Sequence, residues 1–119
     1  MTIATYSQEE KTDWTLIEDS EIATEYYKVR SENSAWFKFV WKFDEMKHDG
    51  KIVRKMLILV KFDCDGALYG QLSTIFYNDN LEVIAKETLD ERLVKMDYVI
   101  PDSAMGMLYK IFCNRDKKD

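Results

Sequence analysis

The amino-acid sequence predicts an α+β fold that is mainly β: an antiparallel meander sheet of about six strands with one C-terminal helix packed on one face. Three observations predict it. Over residues 36–44 the odd positions Phe37, Phe39, Trp41 and Phe43 are aromatic while Lys38, Lys42 and Asp44 fall between them, the alternation of a strand with one buried face. Met56, Leu57, Ile58, Leu59 and Val60 form an unbroken apolar run inside 51–65, short enough to be a central strand buried on both faces. From Ala104 onward the period changes, with Met107, Leu108, Ile111 and Phe112 recurring at three and four residues, the stripe of an amphipathic helix.

The elements follow in order. Residues 1–11 carry no periodicity and read as a loose arm ahead of one domain over 12–113. Residues 13–17 and 25–30 read as a first hairpin around Glu18-Asp19-Ser20-Glu21, followed by strand 36–44. Asp49-Gly50 and Asp65-Gly66 bracket the central strand, because Asp-Gly accommodates the positive φ of tight hairpins. The next strand, 67–77, places Leu68, Leu72 and Phe76 on one face, and Asn78-Asp79-Asn80 turns it into strand 81–88. A charged link with Asp90, Glu91, Arg92 and Lys95 leads to the helix. Pro101 suits its entrance, since it has no amide hydrogen to leave unpaired, and Asp102 or Ser103 can accept from the free amides of the first turn. Gly106 inside the helix costs about 1 kcal/mol against alanine. Residues 114–119 are a charged tail.

Composition bounds the function. The chain has 119 residues, of which 46% are apolar and 33% charged; that suffices for one core and argues against disorder throughout. A net charge of −5 argues against nucleic acid, whose phosphates need a positive surface. No apolar run approaches the roughly 20 residues that span a bilayer. Residues 1–10 lack the basic and apolar regions of a signal peptide, so either the protein is cytoplasmic, with Met1 the native start, or a leader has been removed. The two cysteines cannot form a C-x-x-C motif or a metal site by themselves; they are a disulfide or two separate buried thiols.

The order of features from Trp14, through Tyr26-Tyr27, Trp41, Phe62-Asp63-Cys64, Tyr77-Asn78-Asp79 and Ile100-Pro101-Asp102-Ser103, to Cys113 resembles the surface-adhesin protein E family of Gram-negative bacteria. The resemblance covers 14–113. It implies a six-stranded sheet tied to its C-terminal helix by a Cys64–Cys113 disulfide, in a protein exported to the periplasm or outer-membrane surface. It also implies an adhesin for host matrix proteins, with haem as an alternative ligand. The sequence departs from the family in showing no lipobox cysteine, and the adhesin's ligand-binding residues do not map onto it position by position.

No residues suggest catalysis: no nucleophile stands with a base, and there is no phosphate loop or metal cluster. His48, the only histidine, reads as an exposed turn residue. Asp63 and Asp65 read as turn carboxylates rather than an acid–base pair, and Asp44, Glu45, His48 and Asp49 lack the ligand order of a calcium loop. No cofactor is implied by the residues themselves. The aromatic stripe reads as core beneath the helix, which leaves the opposite side of the sheet. If Phe37, Phe39, Trp41 and Phe43 face the helix, then Trp36 and Val40, Leu57 and Leu59, and Tyr69, Ile75 and Tyr77 face away, interrupted by Lys38, Lys42, Lys55 and Lys61. An apolar patch of that size serves as a homodimer interface or as a platform for a protein partner; the lysine stems can equally screen it.

Overall fold

The computed structural model describes residues 14–115; the expectations for the 1–11 arm and for 116–119 lie outside them. Six long strands run as an antiparallel meander: β1 (Thr15–Asp19), β2 (Ala23–Ser31), β3 (Ser34–Trp41), β6 (Lys55–Asp63), β7 (Leu68–Tyr77) and β8 (Val83–Thr88). Two further strands, β4 (Lys47–His48) and β5 (Lys51–Ile52), make a small separate ribbon, and β9 (Asp97–Tyr98) adds to the far end of β7. The helix, α1, is Ala104–Cys113.

The turns explain where strands stop. Asp49 and Gly50 both take positive φ, 51° and 78°, as this dipeptide predicts, yet they close the β4–β5 ribbon instead of joining β3 directly to the central strand. At the next turn the carboxylate of Asp63 accepts from the amides of Asp65 and Gly66 at 3.1 and 3.0 Å, so the left-handed residue is Ala67 (φ 55°). Asn78 caps the β7–β8 turn by accepting from the amides of Asn80 and Glu82, both at 2.9 Å. Leu81 takes φ 63° there, which delays β8 to Val83.

The core lies between the sheet and α1. Ala35 and Phe37 of β3, Ile58, Val60 and Phe62 of β6, and Leu108 and Phe112 of α1 form one buried cluster. Phe62 stacks on Phe112 with ring centroids 5.1 Å apart and meets Phe37 edge-on at 6.1 Å. The stripe on α1 is rotated from the one the sequence suggests: Met105 and Tyr109 join Leu108 and Phe112 against the core, while Ala104 and Met107 are exposed. Two ties fix this rotation. The Tyr109 hydroxyl donates to the Cys64 carbonyl at 2.7 Å, and Cys113 is bonded to Cys64, with Cα atoms 5.7 Å apart. Ser103 is the N-cap, accepting from the Gly106 amide at 2.9 Å. A side chain on Gly106 would begin 2.7 Å from the Ile100 carbonyl oxygen, so the glycine permits a close approach of backbone to backbone.

Beyond the helix, the same side of the sheet is covered by the ribbon. Val53 is fully buried, and His48, in β4 and half-buried, tilts its ring on Phe76 at 4.8 Å; it packs, where an exposed turn histidine was expected. Phe43 departs from the core reading. It lies past the end of β3 and is 59% exposed, because the alternation continues in sequence for two residues after pairing stops at Trp41.

Candidate binding face

The distal side of the sheet, away from α1, is built by register. Lys86, Ile75, Leu57, Lys38 and Tyr26 lie level across β8, β7, β6, β3 and β2. One step along, Thr88, Ser73, Leu59, Trp36 and Lys28 form the next row, and Tyr77, Lys55, Val40 and Thr24 the row on the other side. Paired residues share a face, so Trp36, Val40, Leu57, Leu59 and Ile75 stand together here, with Tyr77 beside them.

Tyr69 does not. The pairing of β6 with β7 slips between Leu59 and Val60, whose partners are Ser73 and Gln71. Leu72 is therefore an extra residue, a bulge that reverses the parity of everything before it. Tyr69 pairs with Phe62 and packs against the helix-side core. For the same reason Leu68, Leu72 and Phe76 do not share a face.

The face is also less apolar than expected. The link after β8 turns back across one end of it. A side chain on Gly70 would begin 2.9 Å from Met96 Sδ and 3.0 Å from Val94 Cγ2, so those two residues lie directly over the strand. Glu91 reaches Arg30 at 3.3 Å and Lys61 at 3.8 Å, neutralising the cations at that end. Leu59, in the adjoining part of the face, is only 8% exposed. Trp36, Val40, Leu57 and Ile75 remain half-buried.

What projects between them is charge. Every lysine of the large sheet, Lys28, Lys38, Lys55, Lys61 and Lys86, falls on the distal face, whereas Glu18, Glu25 and Glu87 fall on the helix side; Asp19 and Asp63, near the ends of their strands, share the distal face. The Lys38 ammonium lies 4.4 Å from the Trp14 ring centroid and 4.5 Å from that of Tyr26. Lys28 stands 5.6 Å from Trp14, and Lys55 lies 4.2 Å over Tyr77. Such contacts contribute roughly 0.5–2 kcal/mol each. Burial lowers the Lys38 pKa below the usual lysine value, and repulsion from Lys55 and Lys28 lowers it further. Among the described residues no carboxylate lies within ion-pair distance of Lys38, Lys55 or Lys86. The sequence shows these lysines only as interruptions of an apolar patch. Strand parity already places Lys38, Lys55 and Lys61 there, and register adds Lys28 and Lys86.

The remaining candidates are accounted for elsewhere. Asp44 is bonded to Arg54, which also donates to Asp79 at 2.5 Å and to the Trp41 carbonyl at 2.9 Å, so that carboxylate is a structural clamp. Among the described residues no cluster of histidine, cysteine or carboxylates is arranged to hold a metal ion, and no helix is long and apolar enough to cross a membrane. An open hollow of about 470 Å³ lies by the disulfide, lined by Asn33, Lys61, Asp63, Cys64 and Met96 among others. A smaller one of about 210 Å³ lies between Ile22, Trp41, Phe43 and Met46.

Compared with known proteins, residues 14–114 match the family model described as surface-adhesin protein E. No curated protein and no solved structure matches the chain.

Proposed function

The chain belongs to the surface-adhesin protein E family, and from that premise we propose that it is an exported, non-enzymatic module that holds a host-matrix partner on the distal face of its sheet. Family membership supports the adhesin-like role and export. The observation that supports the choice of face is the array of Lys38, Lys55 and Lys86 around half-exposed Trp36, Val40, Leu57 and Ile75, cations without carboxylate partners among the described residues of an acidic chain. Self-association through this face is disfavoured by the same array. A two-fold dimer sets each patch against its own copy, and like charges brought together in an interface oppose binding.

The test is binding to immobilised, purified matrix glycoproteins by surface plasmon resonance, with Val40→Asp and Leu57→Asp as variants whose folding is checked by circular dichroism. The parent is expected to bind at least one glycoprotein, and each variant to weaken that binding at least tenfold. A folded variant that binds as the parent does would remove the distal face from the reading, and a parent that binds none would remove the matrix partner.

A further inference from the structure

Resting on that reading of the distal face, we infer that what the face recognises is an acidic polysaccharide chain, whose sulfate or uronate groups are met by Lys38, Lys55 and Lys86.

Spacing excludes a small anion. Lys38 pairs with Leu57, and Lys55 with Val40, so the first two lysines are diagonal neighbours on adjacent strands, about 7–8 Å apart at their stems. Lys86 lies level with Lys38 but three strand intervals away, across Ile75 and Leu57, or about 14 Å at the usual inter-strand distance. The Lys38 ammonium is moreover held over the Trp14 and Tyr26 rings, on the side of β3 away from Lys86, so one phosphate or carboxylate does not engage all three. A linear polyanion with charges repeated along its length can, and it gains from releasing its own condensed counterions.

The chemistry of the cations narrows the polyanion. All three are lysines, compact point charges on flexible stems and not bidentate arginine forks, which suits single anionic groups spaced along a chain. Nucleic acid is disfavoured. Single strands are held by bases stacking on free aromatic faces, whereas the rings of Trp14, Tyr26 and Tyr77 already carry the Lys38 and Lys55 ammonium groups and Trp36 is half-buried. A lipid surface is disfavoured because the apolar residues between the lysines, Trp36, Val40, Leu57 and Ile75, are only half-exposed.

The experiment titrates the full chain with heparin and with hyaluronan by isothermal calorimetry at several sodium chloride concentrations. Binding that weakens steeply with salt is expected, and the stronger of the two polymers identifies sulfate or uronate as the preferred group. Lys38→Gln/Lys55→Gln/Lys86→Gln should weaken it at least tenfold and flatten the salt dependence; the exposed single change Lys86→Gln should weaken it less. Lys47→Gln/Lys51→Gln on the β4–β5 ribbon should leave it unchanged. Absence of binding to both polymers at low salt would overturn the inference, as would parent-like binding by the folded triple variant. Tighter binding of single-stranded DNA or of phosphatidylserine vesicles would overturn it too. The two readings fail separately: loss of matrix-glycoprotein binding in Val40→Asp, with neither polysaccharide bound by the parent, keeps the face and removes only its ligand.

Discussion

Glu25 shows how a single side chain can run against the fold that holds it. It pairs with Glu18 on one side and Phe39 on the other, on the helix side of the sheet, and its buried Oε1 has no hydrogen-bond partner among the described residues. Burial pushes its pKa above the usual carboxylate value, and the neighbouring Glu18 adds to the shift. A raised folded-state pKa means that the folded protein holds the proton more tightly than the unfolded chain does. The folded state is therefore favoured while the group is protonated, and that advantage is lost as pH rises through the folded-state pKa. Glu25→Gln should accordingly raise the urea midpoint at pH 7, and the gain should shrink as pH falls below the ordinary carboxylate range. A midpoint difference that is the same at pH 3.5 and pH 7 would show that ionisation of Glu25 is not the cause. Sequence alone could not find this residue, because nothing in the Thr24-Glu25-Tyr26 alternation distinguishes an inward carboxylate from an outward one. Gly106 is a second case: read as a helix defect, it is required by the 2.7 Å approach of the Ile100 carbonyl oxygen to its Cβ position.

At the scale of elements, legibility followed periodicity. The strands around Phe37 and Ile58 and the helix beginning near Ala104 were visible because each carries a long, regular pattern with punctuation at its ends. What was missed is short or irregular: the two-residue strands β4, β5 and β9, and the Leu72 bulge, which moved Tyr69 to the other face without leaving any mark in composition. The helix tests the packing most directly. Leu108 is 3% exposed, at the centre of the cluster with Phe37, Ile58 and Phe62. Leu108→Ala removes three buried carbons from a site held on both sides, where Phe112 stacks on Phe62 and Tyr109 is bonded to the Cys64 carbonyl. Such a site cannot collapse freely, so a loss of roughly 2–5 kcal/mol is expected, read as a lowered urea midpoint with unchanged slope. An unchanged midpoint would mean that α1 does not cover the sheet.

Across the whole molecule, the two faces of one sheet differ in character. The helix side holds the aromatic core beneath α1 and the β4–β5 ribbon; the distal side gathers the sheet lysines and, among the described residues, is crossed at one end by the 89–96 link. Holding a ten-residue helix on a sheet this small is where the disulfide acts. Cys64 and Cys113 are 49 residues apart in sequence, and the bond joins the turn after β6 to the last residue of α1, enclosing β7, β8, β9 and the helix in one covalent loop. In the chain-entropy account a loop of that length removes roughly 4 kcal/mol of freedom from the unfolded chain, and native disulfides of small exported domains typically contribute 2–5 kcal/mol. The bond is remote from Lys38, Lys55 and Lys86 in the sheet. Its loss should therefore act on stability while leaving the chemistry of the distal face in place. Unfolded, unreduced protein from an oxidising compartment should show no reactive thiol. Cys64→Ser/Cys113→Ser should unfold at a lower urea midpoint by an amount in that range, yet retain parent-like polyanion and matrix binding at temperatures where it is folded. Two reactive thiols in the parent would contradict the bond. A double variant as stable as the parent would mean that packing of Leu108 and Phe112 alone holds α1 in place.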